Sequence, residues 1–307
     1  MKITNRHGLP QTILNVLHRP QYSKGNAHVS VTELLSSPRI VQLRRQHWDN
    51  LEEDASDMVW SLFGSALHNV LQHGVDENHI VEQRIYHELD GWTISGAIDL
   101  QEVEPDGVIV SDYKVTSVWS VMNDKLDWHR QLNIYAWLIE TVKKLPVKSL
   151  QIVAILRDWS RRDAEVKEDY PSAPIVIISI PLWPNDVREQ YVRKRINLHA
   201  EAMFNVEVSE ELPHCSSDEM WEKPAQWAVK KAGNKRANFV FLEKDKAEHK
   251  AQAMGAAYVV ESRPGERTRC EKYCSVSQWC NQYKSYKESV DVSTQEADGS
   301  ASKVTGA

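Results

Sequence analysis

The chain has 307 residues, 41% of them hydrophobic, and a formal net charge of −6. That length can bury a full core in one large domain or in a domain with an appendage, while the lack of an apolar run near the ~20 residues of a membrane span, or of a repeat period, excludes membrane-spanning and solenoid classes. The acidic balance does not exclude DNA as a partner, because a phosphate backbone contacts one face and the distribution of charge outweighs its sum.

Residues 1–57 read as a polar leader with a helix over Val31–Asn50 that can cover the cleft of the downstream core. MKITNRHGLPQTILN lacks the apolar segment of a secretory signal, so a reducing, cytoplasmic compartment is expected. In DMVWSLFGSALHNVLQHG the residues Trp60, Phe63, Leu67, Val70 and Leu71 recur at helical spacing, which predicts a packed helix with Trp60 in the core. Gly64 and His68 stand one turn apart on that helix, so His68 can point out of it. VEQRIYHEL alternates as a strand and places Glu82 ahead of a hairpin. The hairpin, WTISGAIDLQEVEPDGVIVSDYK, concentrates the chemistry. In its second strand a period of two sends Asp112 and Lys114 to one face, and Asp99 can join them from the first strand. Two carboxylates can hold a hard divalent cation by oxygen, and an ammonium beside them can orient a water or neutralise charge developing on a phosphate. Solvated charges on a strand face are the ordinary alternative. Downstream, DWHRQLNIYAWLIETV is a helix with Leu132, Tyr135, Ala136 and Ile139 as its core stripe and Gln131 four residues before Tyr135; SLQIVAIL then returns as a strand.

These elements, in the order helix, three strands, helix, strand, resemble the RecB-like branch of the PD-(D/E)xK nucleases, which includes phage exonucleases and CRISPR-associated iron–sulfur nucleases. The match runs from about His68 to Leu156, with a cysteine segment near the C-terminus: G-x3-H supplies His68, G-x2-D supplies Gly96 and Asp99, D-Y-K supplies Asp112, Tyr113 and Lys114, and Q-x3-Y supplies Gln131 and Tyr135. The resemblance implies an α/β fold, a restriction-endonuclease-like core around a mixed central sheet. It implies that His68, Asp99, Asp112 and the backbone carbonyl of Tyr113 bind Mg²⁺ or Mn²⁺, and that Lys114 is catalytic. Glu82 would serve a second metal or support the first, and Gln131 and Tyr135 would position the lysine or the DNA strand.

Beyond the core, RDWSRRDAEVKEDYPSAP reads as a charged loop, IVIISIPL as a buried strand, and NDVREQYVRKRINLHAEAMF as a helix opened by Asn185 or Asp186. Three of the four cysteines fall in RCEKYCSVSQWC as Cys270, Cys274 and Cys280, and Cys215 is the remaining candidate for a fourth ligand. Four thiolates suit a [4Fe–4S] cluster or a structural zinc site. The resemblance favours iron–sulfur, although in many relatives the distant cysteine precedes the core and the spacing is C-x2-C. Lys223–Lys250 holds eight Lys/Arg against three Asp/Glu, with a turn at Ala232–Asn234 and a helix from near Asp245. Its Lys230, Lys231, Lys235 and Arg236, with Arg193 and Arg195 in a second basic group that also includes Arg188, are candidate DNA contacts, the alternative being solvated faces. Among the eleven tryptophans, Trp119, Trp128, Trp159 and Trp183 lie near element ends, where rings either pack or stack on unpaired bases.

The division expected is a leader over 1–57, a nuclease core over 58–207, a basic cysteine-bearing module over 208–284 and a disordered tail over 285–307. The function expected is a metal-dependent DNA exonuclease acting on single strands or duplex ends, partnering replication or recombination proteins of a bacterium or phage. A catalytically idle DNA-binding or assembly subunit that kept the fold is the alternative.

Overall fold

Contact density divides the chain into two units, one of residues 1–38 with 48–211, the other of 39–47 with 212–307. The computed structural model describes residues 1–18 and 24–289. In the first unit, β1 (Lys2–Thr4), α1 (Gln11–Leu17), β2 (Val29–Ser30) and α2 (Val31–Leu35) precede α3 (Pro38–Gln46), which belongs to the second unit. The expected helix over Val31–Asn50 is thus two helices, broken where Ser36 leaves α2 in an extended conformation ahead of Pro38. After β3 (Glu52–Asp54), parallel to β1, come α4 (Val59–Leu71), β4 (His79–Leu89), β5 (Trp92–Glu104), β6 (Gly107–Thr116), α5 (Val118–Val121), α6 (Leu126–Leu138) and β7 (Val147–Leu156). This is the order read from the sequence, with α5 added. The charged segment then folds α7 (Arg161–Val166), followed by β8 (Ile175–Ile180) and α8 (Asn185–Glu207).

The central sheet is mixed. β4 runs antiparallel along one edge of β5 for nearly its full length, and the other edge of β5 is shared. β6 pairs with β5 only from Leu100 to Glu104, and β2 pairs with it at Ile94 and Ser95. β5 is therefore left open toward that side between Gly96 and Asp99, which creates a fork in the sheet. β6 continues parallel to β7, and β8 closes the order on the far edge. β8 is an edge strand rather than the buried strand expected: Ile175 and Ile177 are exposed while Ile180 is buried.

One face of the sheet is sealed by α6, whose residues 131–138 are all buried. Leu132, Ile134, Trp137 and Leu138 are inaccessible or nearly so, each contributing about 1.5–3 kcal/mol on burial. Close approach of α6 to β5 depends on Gly96. A Cβ there would stand 2.7 Å from Leu138 Cδ1 and 3.2 Å from the Tyr135 ring. Gly96→Ala is thus expected to destabilise the fold by about 1–3 kcal/mol through overpacking, seen as a lower midpoint in thermal or denaturant unfolding.

Helix α8 corrects two expectations about DNA contacts. Arg195 is buried, donating from Nε to the Leu34 carbonyl at 2.9 Å and from Nη2 to the Ser36 carbonyl at 2.6 Å, so it closes the end of α2 instead of meeting a phosphate. Arg188 is also buried and pairs with Glu140 at 2.7 Å. Arg193 is accessible but engaged by Asp90 and Glu189. Trp137 is a core residue, whereas Trp60, expected in the core, is 49% exposed and Phe63 61% exposed, and no residue of α4 is fully buried.

The second unit holds α3, α9 (Ser217–Met220), β9 (Glu222–Lys223), β10 (Gln226–Lys231), β11 (Phe239–Phe241), α10 (Lys244–Met254), β12 (Tyr258–Arg263), β13 (Glu266–Arg267) and α11 (Thr268–Lys272). β10 is central in an antiparallel three-stranded sheet covered by α10, with Val229, Ala247 and Ala251 as a small core. Lys230 is tied to Glu261, while Lys231, Lys235 and Arg236 are exposed at the expected turn, where Gly233 takes φ +83°. Residues 281–289 are helical, so the expected disorder does not begin at Ser285; the remainder of that tail lies outside the described residues. Among the described residues no helix is long and apolar enough to cross a membrane.

Candidate active site

The fork between β5 and β6 gathers the residues expected to carry chemistry. Where the strands part, Asp99 replaces a lost ladder bond: its Oδ2 accepts the Tyr113 N–H at 2.8 Å. Asp99 and Asp112 are 7% and 1% exposed, an expensive burial for two carboxylates. As the period of two requires, Asp112 and Lys114 share a face, and Lys114 Nζ lies 2.6 Å from Asp112 Oδ2. Asp112 Oδ1 accepts from Gln131 Nε2 at 3.0 Å, and the same amide nitrogen is 2.9 Å from the Tyr135 hydroxyl. The i, i+4 spacing of Gln131 and Tyr135 on α6 thus becomes a clamp on Asp112.

His68 reaches the fork from α4. Its Nδ1 is 3.0 Å from Glu82 Oε1 and 3.5 Å from Asp99 Oδ1. Glu82 arrives by a backbone irregularity: at φ +48° it sits in the left-handed region, and the β4–β5 ladder skips the Glu82 and Asp99 pair without changing register. Holding a non-glycine residue there costs about 1–3 kcal/mol, and such strain persists where the surroundings impose it. The donor atoms of His68, Glu82 and Asp99 all lie within 4.8 Å of one another. Sequence reasoning assigned Glu82 to a second metal or to support of the first; the structure sets it beside His68. Arg84, which it missed, was legible as the residue two beyond Glu82 on the same strand face. Its Nη1 donates to Ser95 Oγ at 3.1 Å, and it lines the cleft on both sides of His68 and Lys114. Lys24 and Glu33, on the segment expected to cover the site, line one side of that cleft.

The electrostatics are those of anionic groups held close together, two of them buried. Burial, and next the charge of Asp112, push the Asp99 carboxyl up to about 7. The hydrogen bond that the Glu82 carboxylate accepts from it raises the His68 imidazole against the opposing effect of its burial. Burial and the neighbouring Asp99 raise the Tyr113 phenol. Asp112 Oδ2 is buried and accepts no hydrogen bond of acceptable geometry despite its closeness to Lys114. Carboxylate oxygens and an imidazole nitrogen in one cleft, with Asp112 Oδ2 free of a hydrogen bond though close to Lys114, form a donor set that fits a hard divalent cation.

The second unit contains another convergence. Cys215, Cys270, Cys274 and Cys280, none of them in a disulfide, line one small pocket. Burial first, then the three other cysteines, push the Cys270 thiol up to about 11, and burial raises Cys274. The flanking backbone is pinned: Gln282 bonds both the N–H and the carbonyl of Cys215, at 2.8 and 3.0 Å, and Arg39 donates to the Leu212 and Pro213 carbonyls. Four converging thiols fit a thiophilic metal centre, where ligation would remove the protons that burial retains on Cys270 and Cys274.

The geometry can be set against known proteins. Two solved structures share limited likeness: the crystal structure of SSO0001, 18% identical over 61% of this chain and 82% of that one with a TM-score of 0.41, and a Eubacterium rectale protein designated "Putative exonuclease", 13% identical over 66% and 75% with a TM-score of 0.28. At those scores neither likeness carries weight. No curated protein matches significantly. The family model described as the PD-(D/E)XK nuclease superfamily matches residues 30–281, spanning both the fork and the cysteines. The chain belongs to the PD-(D/E)XK nuclease superfamily.

Proposed function

We propose that this chain is a divalent-metal-dependent deoxyribonuclease of RecB-like type, an exonuclease that works on single strands or duplex ends in replication, repair or recombination of a bacterium or phage. The observation that carries the proposal is the convergence of His68, Asp99, Asp112 and Lys114 in one cleft with Asp112 Oδ2 lacking a hydrogen bond. His68, Asp99 and Asp112, with the Tyr113 carbonyl, would hold Mg²⁺ or Mn²⁺, and Glu82 stands close enough to His68 to join them. The cation, when bound, supplies Lewis-acid polarisation of the phosphate and acidifies water.

The protein's own groups do the rest. Lys114, 28% exposed at its side chain, faces the cleft, where its ammonium can orient the attacking water and neutralise the charge that develops on the phosphate as oxygen bonds to phosphorus and the bridging P–O bond breaks. Gln131 and Tyr135 fix Asp112 in one rotamer, so that its anionic oxygen stays directed at the cleft. Arg84 supplies a second positive charge on the path of the phosphate. Without a cation the carboxylates repel DNA, so metal-free binding is weak and falls steeply with salt. The exonuclease claim is tested with linear and covalently closed single-stranded DNA of the same sequence: linear DNA is expected to lose mononucleotides or short products while circles persist. Cleavage of both at equal rates would leave a nuclease of a different kind.

For the second unit, we propose a structural [4Fe–4S] cluster on Cys215, Cys270, Cys274 and Cys280, supported by their shared pocket. Cross-linking Cys215 to residues more than fifty positions further on limits the freedom of a long polar segment. Anaerobically purified protein is expected to be brown, and Cys274→Ser to lose iron and thermal stability first, with nuclease activity falling only as a consequence. Stoichiometric zinc without iron or labile sulfide would replace the cluster with a zinc site, and four titratable thiols with neither metal would remove the centre.

A further inference from the structure

Helix α4 has an unusual exposure for its composition. It is an apolar helix without one fully buried residue, and it presents Trp60 and Phe63 with ring centroids 6.3 Å apart. The Arg157 guanidinium lies 4.4 Å from the Trp60 ring centroid. Arg157 follows directly on β7, and its N–H donates to the carbonyl of Thr116 at the end of β6, the strand that carries Asp112 and Lys114. The same helix lines the active-site cleft with Ser61, Gly64, Ser65 and His68. Gly64 leaves that wall open, since a Cβ there would meet nothing within 4 Å. One element therefore bears an aromatic pair with an attached cation at its beginning and an active-site imidazole near its end.

We propose that Trp60 and Phe63 form a stacking platform for unpaired DNA bases, with Arg157 neutralising the adjoining phosphate, so that a single strand is led along α4 into the cleft. The inference rests on the nuclease reading above and adds to it the substrate form and the residues that select it. Charge complementarity and continuity decide the occupant. A guanidinium against a ring, serine hydroxyls along the groove and Lys114 and Arg84 at its end match a phosphate backbone with exposed base faces, whereas a protein partner packed on α4 would need a dry apolar surround. Trp60 and His68 are eight positions apart on α4, about 12 Å along its axis, a span of about two to four nucleotides.

The test measures equilibrium binding of a labelled single-stranded oligonucleotide and of a blunt duplex to the full chain, with Ca²⁺ in place of the hydrolytic cation. Trp60→Ala is expected to weaken single-strand binding by about 5- to 150-fold, the loss of one stacked base. Trp60→Phe should stay within a few-fold of wild type, and duplex affinity should be unchanged. A single abasic position two to four nucleotides from the strand end should reproduce the loss in wild type and add nothing in Trp60→Ala. Unchanged single-strand affinity in a Trp60→Ala protein that melts like wild type would overturn the platform, as would equal losses for both DNA forms. If wild type binds single strands in this base-dependent way yet hydrolyses none, the nuclease reading fails and the platform stands. Hydrolysis with no effect of Trp60→Ala on binding gives the reverse.

Discussion

Asp112→Asn is expected to abolish DNA hydrolysis while leaving the metal-free protein as stable as wild type or more so. The amide keeps an oxygen for Gln131 Nε2, so the α6 clamp survives; it gives up the ion pair with the partly exposed Lys114, and in exchange removes one of two neighbouring buried carboxylates. Asp112 is the nearest buried anion raising Asp99, so its neutralisation relieves a repulsion in the resting protein. The same change deprives the cleft of the anionic oxygen that Asp112 presents without a hydrogen bond, and hence of cation affinity. Lys114→Met separates a different function: cation binding should persist while turnover falls by about 10²- to 10³-fold, the range lost with one donor aimed at charge that develops in the transition state. Rates on a labelled oligonucleotide, beside cation-induced melting shifts for the same preparations, check both. An Asp112→Asn protein that hydrolyses at the wild-type rate, or that is markedly less stable than wild type, would remove Asp112 from the site.

A pH-dependent cation effect is expected to be comparably large. The Asp99 carboxyl is pushed up to about 7, first by burial and then by Asp112, so between its unfolded value and about 7 the folded state holds a proton that the unfolded chain releases. That contribution to stability is complete below the unfolded value and is lost as pH rises through about 7. His68 acts in the same sense, because the Glu82 hydrogen bond raises its folded value above the ordinary imidazole range. The metal-free protein should therefore melt at lower temperature near pH 8 than near pH 6. Cation binding displaces those protons and supplies the missing positive charge, so the melting shift produced by Mg²⁺ or Mn²⁺ should grow over the same interval. Differential scanning fluorimetry with and without cation checks this, and Asp99→Asn should flatten the dependence. A cation shift that is equal at both pH values would mean that Asp99 does not give up its proton to the site.

Much of the fork was legible because strand chemistry is local. The alternation in β6 sufficed to put Asp112 beside Lys114, and the helical interval in α6 sufficed to join Gln131 to Tyr135. The place of Glu82 was not legible in the same way: alternation assigned it a face, but its approach to His68 depends on a left-handed residue that no glycine announces. Arg188 and Arg195 misled for a different reason. Their helix is polar around most of its circumference, so periodicity could not tell which arginines turn inward, and Arg195 serves carbonyls of Leu34 and Ser36 more than 150 positions earlier. Trp60 and Phe63 misled in the opposite direction. Helical spacing of large apolar residues normally means a buried stripe, and here it marks a surface beside the cleft. The resemblance drawn from motifs survived these errors because its residues lie on the sheet fork and on the helix that seals it.

The central claim, that the fork is a cation-dependent phosphodiesterase site, is tested most directly by following an end-labelled single-stranded oligonucleotide with wild-type protein in Mg²⁺, in Mn²⁺ and in excess chelator. The predicted result is release of labelled nucleotide with either cation, none with chelator, and recovery when cation is restored. No release with either cation, from protein whose melting temperature the cation raises, would contradict it, as would release that persists undiminished in chelator.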